Sequence, residues 1–267
     1  MGDENPNGLA MKIKAMLEKA EPLFTDKCCI YRVPHEIRKI NEDAYTPKVV
    51  SIGPFHHEDP KLLKMENQKR IYCRHFIERS DTKNLESFVS CVQELEPEVR
   101  SCYSDEIKLS EEEHVMVILV DCCFILELLL RYHFKWWPSH DAMILRRRLV
   151  SYIHYDLLLL ENQVPFFILE KLYNLAFPST LNSGNPSHPS LLSLTLLYIV
   201  PSDSIISGSD LGIFLSNVGR ISHFTDLSRK LLLISSHLFQ PSSSTRSRGA
   251  KLTHIYSATK LKSWCEV

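Results

Sequence analysis

Ser110-Glu111-Glu112-Glu113-His114-Val115-Met116-Val117-Ile118-Leu119-Val120-Asp121-Cys122-Cys123-Phe124-Ile125-Leu126-Glu127-Leu128-Leu129-Leu130 is the stretch that decides the fold class. Its first four residues form a capping-box pattern. The serine oxygen can accept from the amide three residues on, the third glutamate can reach back, and the acidic turn suits the positive end of the helix dipole. From Val115 to Leu130 the segment is apolar almost all round, which places it at the centre of a helical core with neighbours on several sides. It is interrupted by Asp121 and Glu127 and is shorter than the ~20 residues that cross a bilayer, so it reads as a core helix. Glu127 and Arg131 are expected to pair at its exit.

Helical periodicity continues on both sides. Leu9 to Leu17 is a short amphipathic stretch that ends before Pro22 and reads as a docking arm. From Cys28 to His57 the pattern changes to β-branched pairs with Pro34, Pro47, Gly53 and Pro54, which predicts an ordered loop with short strands. Asp59-Pro60 is expected to open a helix that carries Leu62, Met65, Tyr72 and Phe76 on one face through Arg79, with Glu66 and Arg70 as an exposed pair. Leu85, Phe88, Val92, Leu95 and Val99 mark the next helix, which Pro97 is expected to kink or restart.

After Trp136-Trp137-Pro138, a helical pattern runs from about Asp141 to Leu160 and includes Arg146-Arg147-Arg148. Asp156-Leu157-Leu158-Leu159-Leu160-Glu161-Asn162-Gln163-Val164-Pro165-Phe166-Phe167 reads as a helix, a polar break and a helix restarted at proline, hence an αα corner. Its second arm runs from Phe166 to Ala176. A connector rich in serine, asparagine and proline, a short helix near Leu191 to Tyr198, a polar loop and a final amphipathic segment from Ile221 to Leu238 follow. The expected fold is mainly α: a multi-helix bundle with an irregular proline-rich N-terminal region and at most short β-strands. Its expected organisation is a helical arm over 1–27, a principal domain over 28–240 with a connector at about 178–190, and a terminal part over 241–267. No internal repeat is visible.

At 267 residues, with 44% hydrophobic and 24% charged side chains, the chain can bury a real core. Lys and Arg number 31 against 32 Asp and Glu, so no global field draws it onto nucleic acid or anionic lipid. The arginine triplet spreads around its helix without an aromatic-rich basic face, which argues against nucleic-acid binding. The eight cysteines do not form a disulfide framework at this length, and the acidic, polar start Met1-Gly2-Asp3-Glu4-Asn5 is unlike a secretory leader. A reducing, cytoplasmic compartment is therefore expected.

Several residues invite a chemical reading. Imidazoles at His56 and His57 could ligate zinc or act as bases, but one metal needs three or four ligands, and loop fixation is the plainer reading. Cys122 and Cys123 sit mid-helix among apolar neighbours, which disfavour the thiolate. Asp121 must be paired if buried, and an arginine from another helix is the expected partner. Glu161-Asn162-Gln163 is expected to cap helix termini. The glycine-rich phosphate loop, the G-x-S-x-G elbow, the H-E-x-x-H pair and the kinase signature are all missing from the sequence. No residue is assigned a catalytic, cofactor-binding or metal role, and no cofactor is called for.

The chain resembles the plant family grouped as domain of unknown function 247. The resemblance rests on Ile30-Tyr31-Arg32-Val33-Pro34, Ala44-Tyr45-Thr46-Pro47, Val50-Ser51-Ile52-Gly53-Pro54-Phe55-His56-His57, Met65-Glu66, Lys69, Asp121 to Leu128, and Asp156 to Phe167. Ile221-Ser222-His223-Phe224-Thr225-Asp226-Leu227 and Ser257-Ala258-Thr259-Lys260-Leu261 are weaker echoes. The resemblance implies a largely helical plant protein, with links in some members to self-incompatibility and signalling and with no established reaction. It also implies a hydrophobic C-terminal anchor, so that membrane attachment is typical, although no transmembrane segment is present in this sequence and the chain reads as truncated. Glu58 and Cys122 stand where glycine is usual. The expected function is a non-enzymatic interaction or signalling module with a protein partner; the alternative is a metal-dependent or hydrolytic enzyme using His56 and His57 with an acid such as Asp121.

Overall fold

In the computed structural model the described residues are 6–18, 26–139, 141, 147–178, 188–200, 212, 214–215 and 218–238. They form nine α-helices: α1 Pro6–Glu18, α2 His35–Arg38, α3 Glu66–Arg79, α4 Leu85–Ser101, α5 Glu111–Phe134, α6 Arg147–Asp156, α7 Phe166–Ala176, α8 Leu191–Ile199 and α9 Phe224–Leu238. The mainly α class is as the periodicity indicates. No strand occurs among the described residues; the loop from Cys28 to His57 holds one isolated parallel bridge, Ile30 to Tyr103, and short 3-10 turns at Glu42–Ala44 and Pro54–His56. Its backbone is held by side chains where a strand would be held by a ladder.

The central helix is α5. Ser110 Oγ accepts from the Glu113 amide at 3.3 Å, and Glu113 Oε2 accepts from the Ser110 amide at 2.9 Å, which completes the capping box. Helices α3, α4, α7 and α8 pack around it. Phe124, Leu126, Leu128, Leu129 and Leu130 are fully sealed from solvent, and Met116 and Phe134 are the large apolar residues of the helix left exposed. Phe76 from α3 meets Phe88 from α4 and Phe177 edge to face, at centroid separations of 5.9 and 6.0 Å, and so ties three segments together.

Three sequence expectations need correction. Pro60 does not open a helix: Asp59 Oδ1 accepts from the Lys61 amide, a local turn forms, and a 3-10 turn at Leu63–Met65 leads into α3. Helix α4 runs through Pro97 without restarting, since its buried residues Phe88, Val92, Glu96 and Val99 fix it on both sides of the proline. Glu66 pairs with Lys69 at 2.7 Å, which draws it inward from the expected surface pair with Arg70. Glu127 and Arg131 do pair, at 2.7 Å, but as a buried pair joined by Arg79, Tyr72 and Asp141. Arg146, the connector after Pro178, the polar loop over 201–211 and everything beyond Leu238 lie outside the described residues, as do the side chains of Arg147 and Arg148.

Candidate functional site

The polar break between α6 and α7 faces the irregular N-terminal loop, and its side chains bind that loop's backbone. Asp156, the last residue of α6, accepts from the amides of Lys48, Val49 and Val50 at 2.9, 2.7 and 2.9 Å. Asn162 accepts from the Ile52 amide at 2.7 Å and donates to the carbonyls of Val50 and Asp156 at 3.0 and 2.9 Å. Glu161 Oε1 accepts from the Val33 amide at 2.6 Å. Gln163 donates to the carbonyls of Leu157 and Leu159, both at 2.7 Å, just past the end of α6, so of the three residues expected to cap, Asn162 holds the last carbonyl of the helix and Gln163 the turn that follows it. Loop amides that lack a ladder thereby find partners, as burial requires.

Beneath Ser51 to Gly53 lies Asp121. One carboxylate oxygen accepts from the Gly53 amide at 2.8 Å and the other meets Lys69 Nζ at 2.5 Å; the lysine also donates to the Ser51 carbonyl at 3.0 Å. The expected arginine partner is thus a lysine, from α3. Lys69, Asp121 and Ser51 are all sealed from solvent. Burial pulls the lysine pKa down, but Asp121 and Glu66 outweigh it and the net shift is upward, so the ammonium is kept. Burial likewise pushes Asp121 up against the opposing pull of Lys69 and the Gly53 amide. The lysine direction governs the pair, because two carboxylates share one ammonium.

Gly53 is required at its position. Its φ is +73°, and a Cβ there would lie 2.4 Å from the Gln163 carbonyl oxygen and 3.0 Å from the Tyr103 hydroxyl. That hydroxyl donates to the same carbonyl at 3.0 Å, so the tyrosine ring closes the floor of the turn.

His56 and His57 follow this turn. His56 Nε2 lies 3.5 Å from Glu161 Oε2, which also meets Arg38 at 2.5 Å and Arg32 at 3.6 Å. Burial pushes the Glu161 carboxyl up, but His56, Arg38 and the Val33 amide together outweigh it and hold it below its ordinary value. Among the described residues no group of three or more His, Cys, Asp and Glu side chains is arranged to hold a metal ion. Asp121 is engaged by Lys69 and Gly53, and the carboxylate beside His56 is that of Glu161. Burial pushes the Cys122 and Cys123 thiols well above their ordinary value, and no cysteine of the described residues is in a disulfide.

Sequence reading missed two polar clusters and, beyond the Glu127–Arg131 pair, most of a third. His114, on α5, meets Glu96 of α4 at 2.7 Å, and Arg100 holds the same carboxylate oxygen at 2.6 Å; the imidazole is sealed from solvent, and burial lowers its pKa. Arg131 stacks over Tyr72 at 4.1 Å and binds Glu127, Asp141 and His75. His223, at the start of α9, donates from Nε2 to the Cys29 carbonyl at 3.0 Å and accepts at Nδ1 from the Asp226 amide at 3.3 Å, which fixes a neutral tautomer. The pattern of ionisable residues inside apolar runs was the available signal for the first two; nothing local marks His223.

No solved structure gives a significant match. A UPF0481 protein of Arabidopsis thaliana is 40% identical over 150 residues, 55% of this chain and 31% of its own length. A putative UPF0481 protein of the same plant is 30% identical over 151 residues, 57% of this chain and 28% of its own length. The matched stretch therefore spans under a third of those relatives. The DUF247 family, described as plant protein of unknown function, matches residues 30–265, and the chain belongs to that family.

Proposed function

We propose that the chain is a non-enzymatic interaction module, working in signalling, whose partner is a protein. The observation that carries this reading is helix α1. Leu9, Ile13, Met16 and Leu17 recur at positions that share one helix face, and all four are exposed, by 59, 44, 65 and 64%. An apolar stripe of this spacing is the form in which amphipathic helices dock into grooves on other proteins. Asp121, Asp156, Glu161 and Asn162 are engaged in holding the loop, which supports binding over catalysis. A cytoplasmic setting and a role in self-incompatibility belong to the same proposal; the free thiols accord with the first and the family resemblance suggests the second.

Tagged full-length protein purified from plant tissue tests the reading against a Leu9→Asp/Met16→Asp variant. The expected outcome is one stoichiometric protein partner with the parent chain and its loss from the folded variant. Equal recovery from both would remove α1 from the proposal. Metal analysis of the parent and of His56→Ala/His57→Ala is the counter-test, and stoichiometric metal lost on substitution would replace the interaction reading with the enzymatic one.

A further inference from the structure

A half-open cavity of about 360 Å³ lies where the N-terminal loop, the α6–α7 corner and the start of α9 meet. We infer that it is a binding site for a small organic anion with an apolar body and one acidic group. This inference goes beyond the partner-docking reading and does not depend on it. The volume falls within the range of small-molecule pockets, roughly 300–1,000 Å³.

The lining argues for the ligand class. Leu158, Leu159, Leu160 and Ala44, with the rings of Tyr31 and Tyr45, give walls that are mainly apolar. Three of the polar side chains among them are engaged inside the protein. Thr225 Oγ1 donates to the Leu158 carbonyl at 3.0 Å, His223 is bonded at both nitrogens, and the Tyr31 hydroxyl donates to the Cys28 carbonyl at 2.9 Å. An apolar body therefore displaces no water from these three groups on entry.

Charge enters with α9. Asp226 meets both Arg229 and Lys230 at 3.0 Å, and its second oxygen also takes the Ser222 amide at 3.0 Å. One carboxylate thus faces two cations, and one positive charge is left over beside the cavity. Arg229 lines the cavity, engages Asp226 through a single nitrogen and is 48% exposed along its side chain, so its fork has donors left to turn toward an acidic group.

The test uses two probes on the full chain: 8-anilinonaphthalene-1-sulfonate, an aromatic anion, and the neutral N-phenyl-1-naphthylamine. Saturable binding of the anionic probe at one per chain is expected. Ala44→Trp, which fills the cavity, weakens both probes roughly tenfold or more, whereas Arg229→Gln weakens the sulfonate several-fold, about 1 kcal/mol or less, and leaves the neutral probe unchanged. Amide NMR shifts in the unsubstituted chain make the result independent of how the variants fold: they are expected to centre on Tyr45, Leu159 and Thr225. Unsaturable binding, shifts centred on α1 or elsewhere, or an Arg229→Gln effect equal for both probes would overturn the inference.

Discussion

Gly53 and His223 show how much single residues decide here. A Cβ on Gly53 has nowhere to go, because the nearest atom is a backbone carbonyl oxygen that cannot turn aside. Gly53→Ala is expected to lower stability by at least about 2 kcal/mol, from the positive φ and the clash together, as read by urea denaturation. His223 sets a pH dependence. Burial pushes its pKa down to about 4, with Asp226 opposing and Arg229 and Lys230 adding to the shift. The unfolded imidazole takes its proton near pH 6.5, whereas the folded one refuses it until about pH 4, so this residue's contribution is complete above pH 6.5 and is lost as pH falls between those values. The loss amounts to about 3 kcal/mol. Denaturation of His223→Gln across that window is expected to show a flatter slope than the parent; equal slopes would mean the imidazole titrates normally. Glu161, held below its ordinary value, acts in the same direction at lower pH.

Helix α5 separates end effects from core effects. Its capping box is exposed, so Ser110→Ala is expected to cost about 1 kcal/mol. Leu126→Ala, in the sealed middle of the same helix, is expected to cost about 2–5 kcal/mol because the bundle cannot collapse into the space from four sides. Calorimetry or urea unfolding of the two variants checks the order. At this scale the sequence was largely legible: the capping box, the Phe166 start of α7 and the α8 segment follow from local pattern. Pro60 was misread, and of the two outcomes expected at Pro97 the restart does not occur. At Pro60 an aspartate-bonded turn outcompetes helix entry, while at Pro97 burial on both sides of α4 outweighs the lost backbone bond.

Taken as a whole, the molecule is a helical body with a loop held onto it by side chains. Asn162 is the most economical place to test that description, since it binds the loop at Val50 and Ile52 and the helix end at Asp156. Asn162→Ala leaves three backbone groups without their partner and is expected to cost about 2–4 kcal/mol. Hydrogen exchange gives the sharper readout: the Ile52 amide should exchange at least about tenfold faster in the variant, beyond any change at Leu126. A uniform change across both sites would show that loop and body open together.

What the sequence alone determined is the class of every long element, because a helix's apolar spacing is a local property that folding preserves. It also marked Asp121, Glu161 and His56 as residues needing an explanation, since a charge or imidazole amid apolar neighbours must find a partner. Only the tertiary structure decided which partner: a lysine from α3, loop amides over 100 positions away in the chain, and a carbonyl at Cys29 for His223. Hydrogen-bond partners across such separations are set by packing in space, which no local pattern encodes.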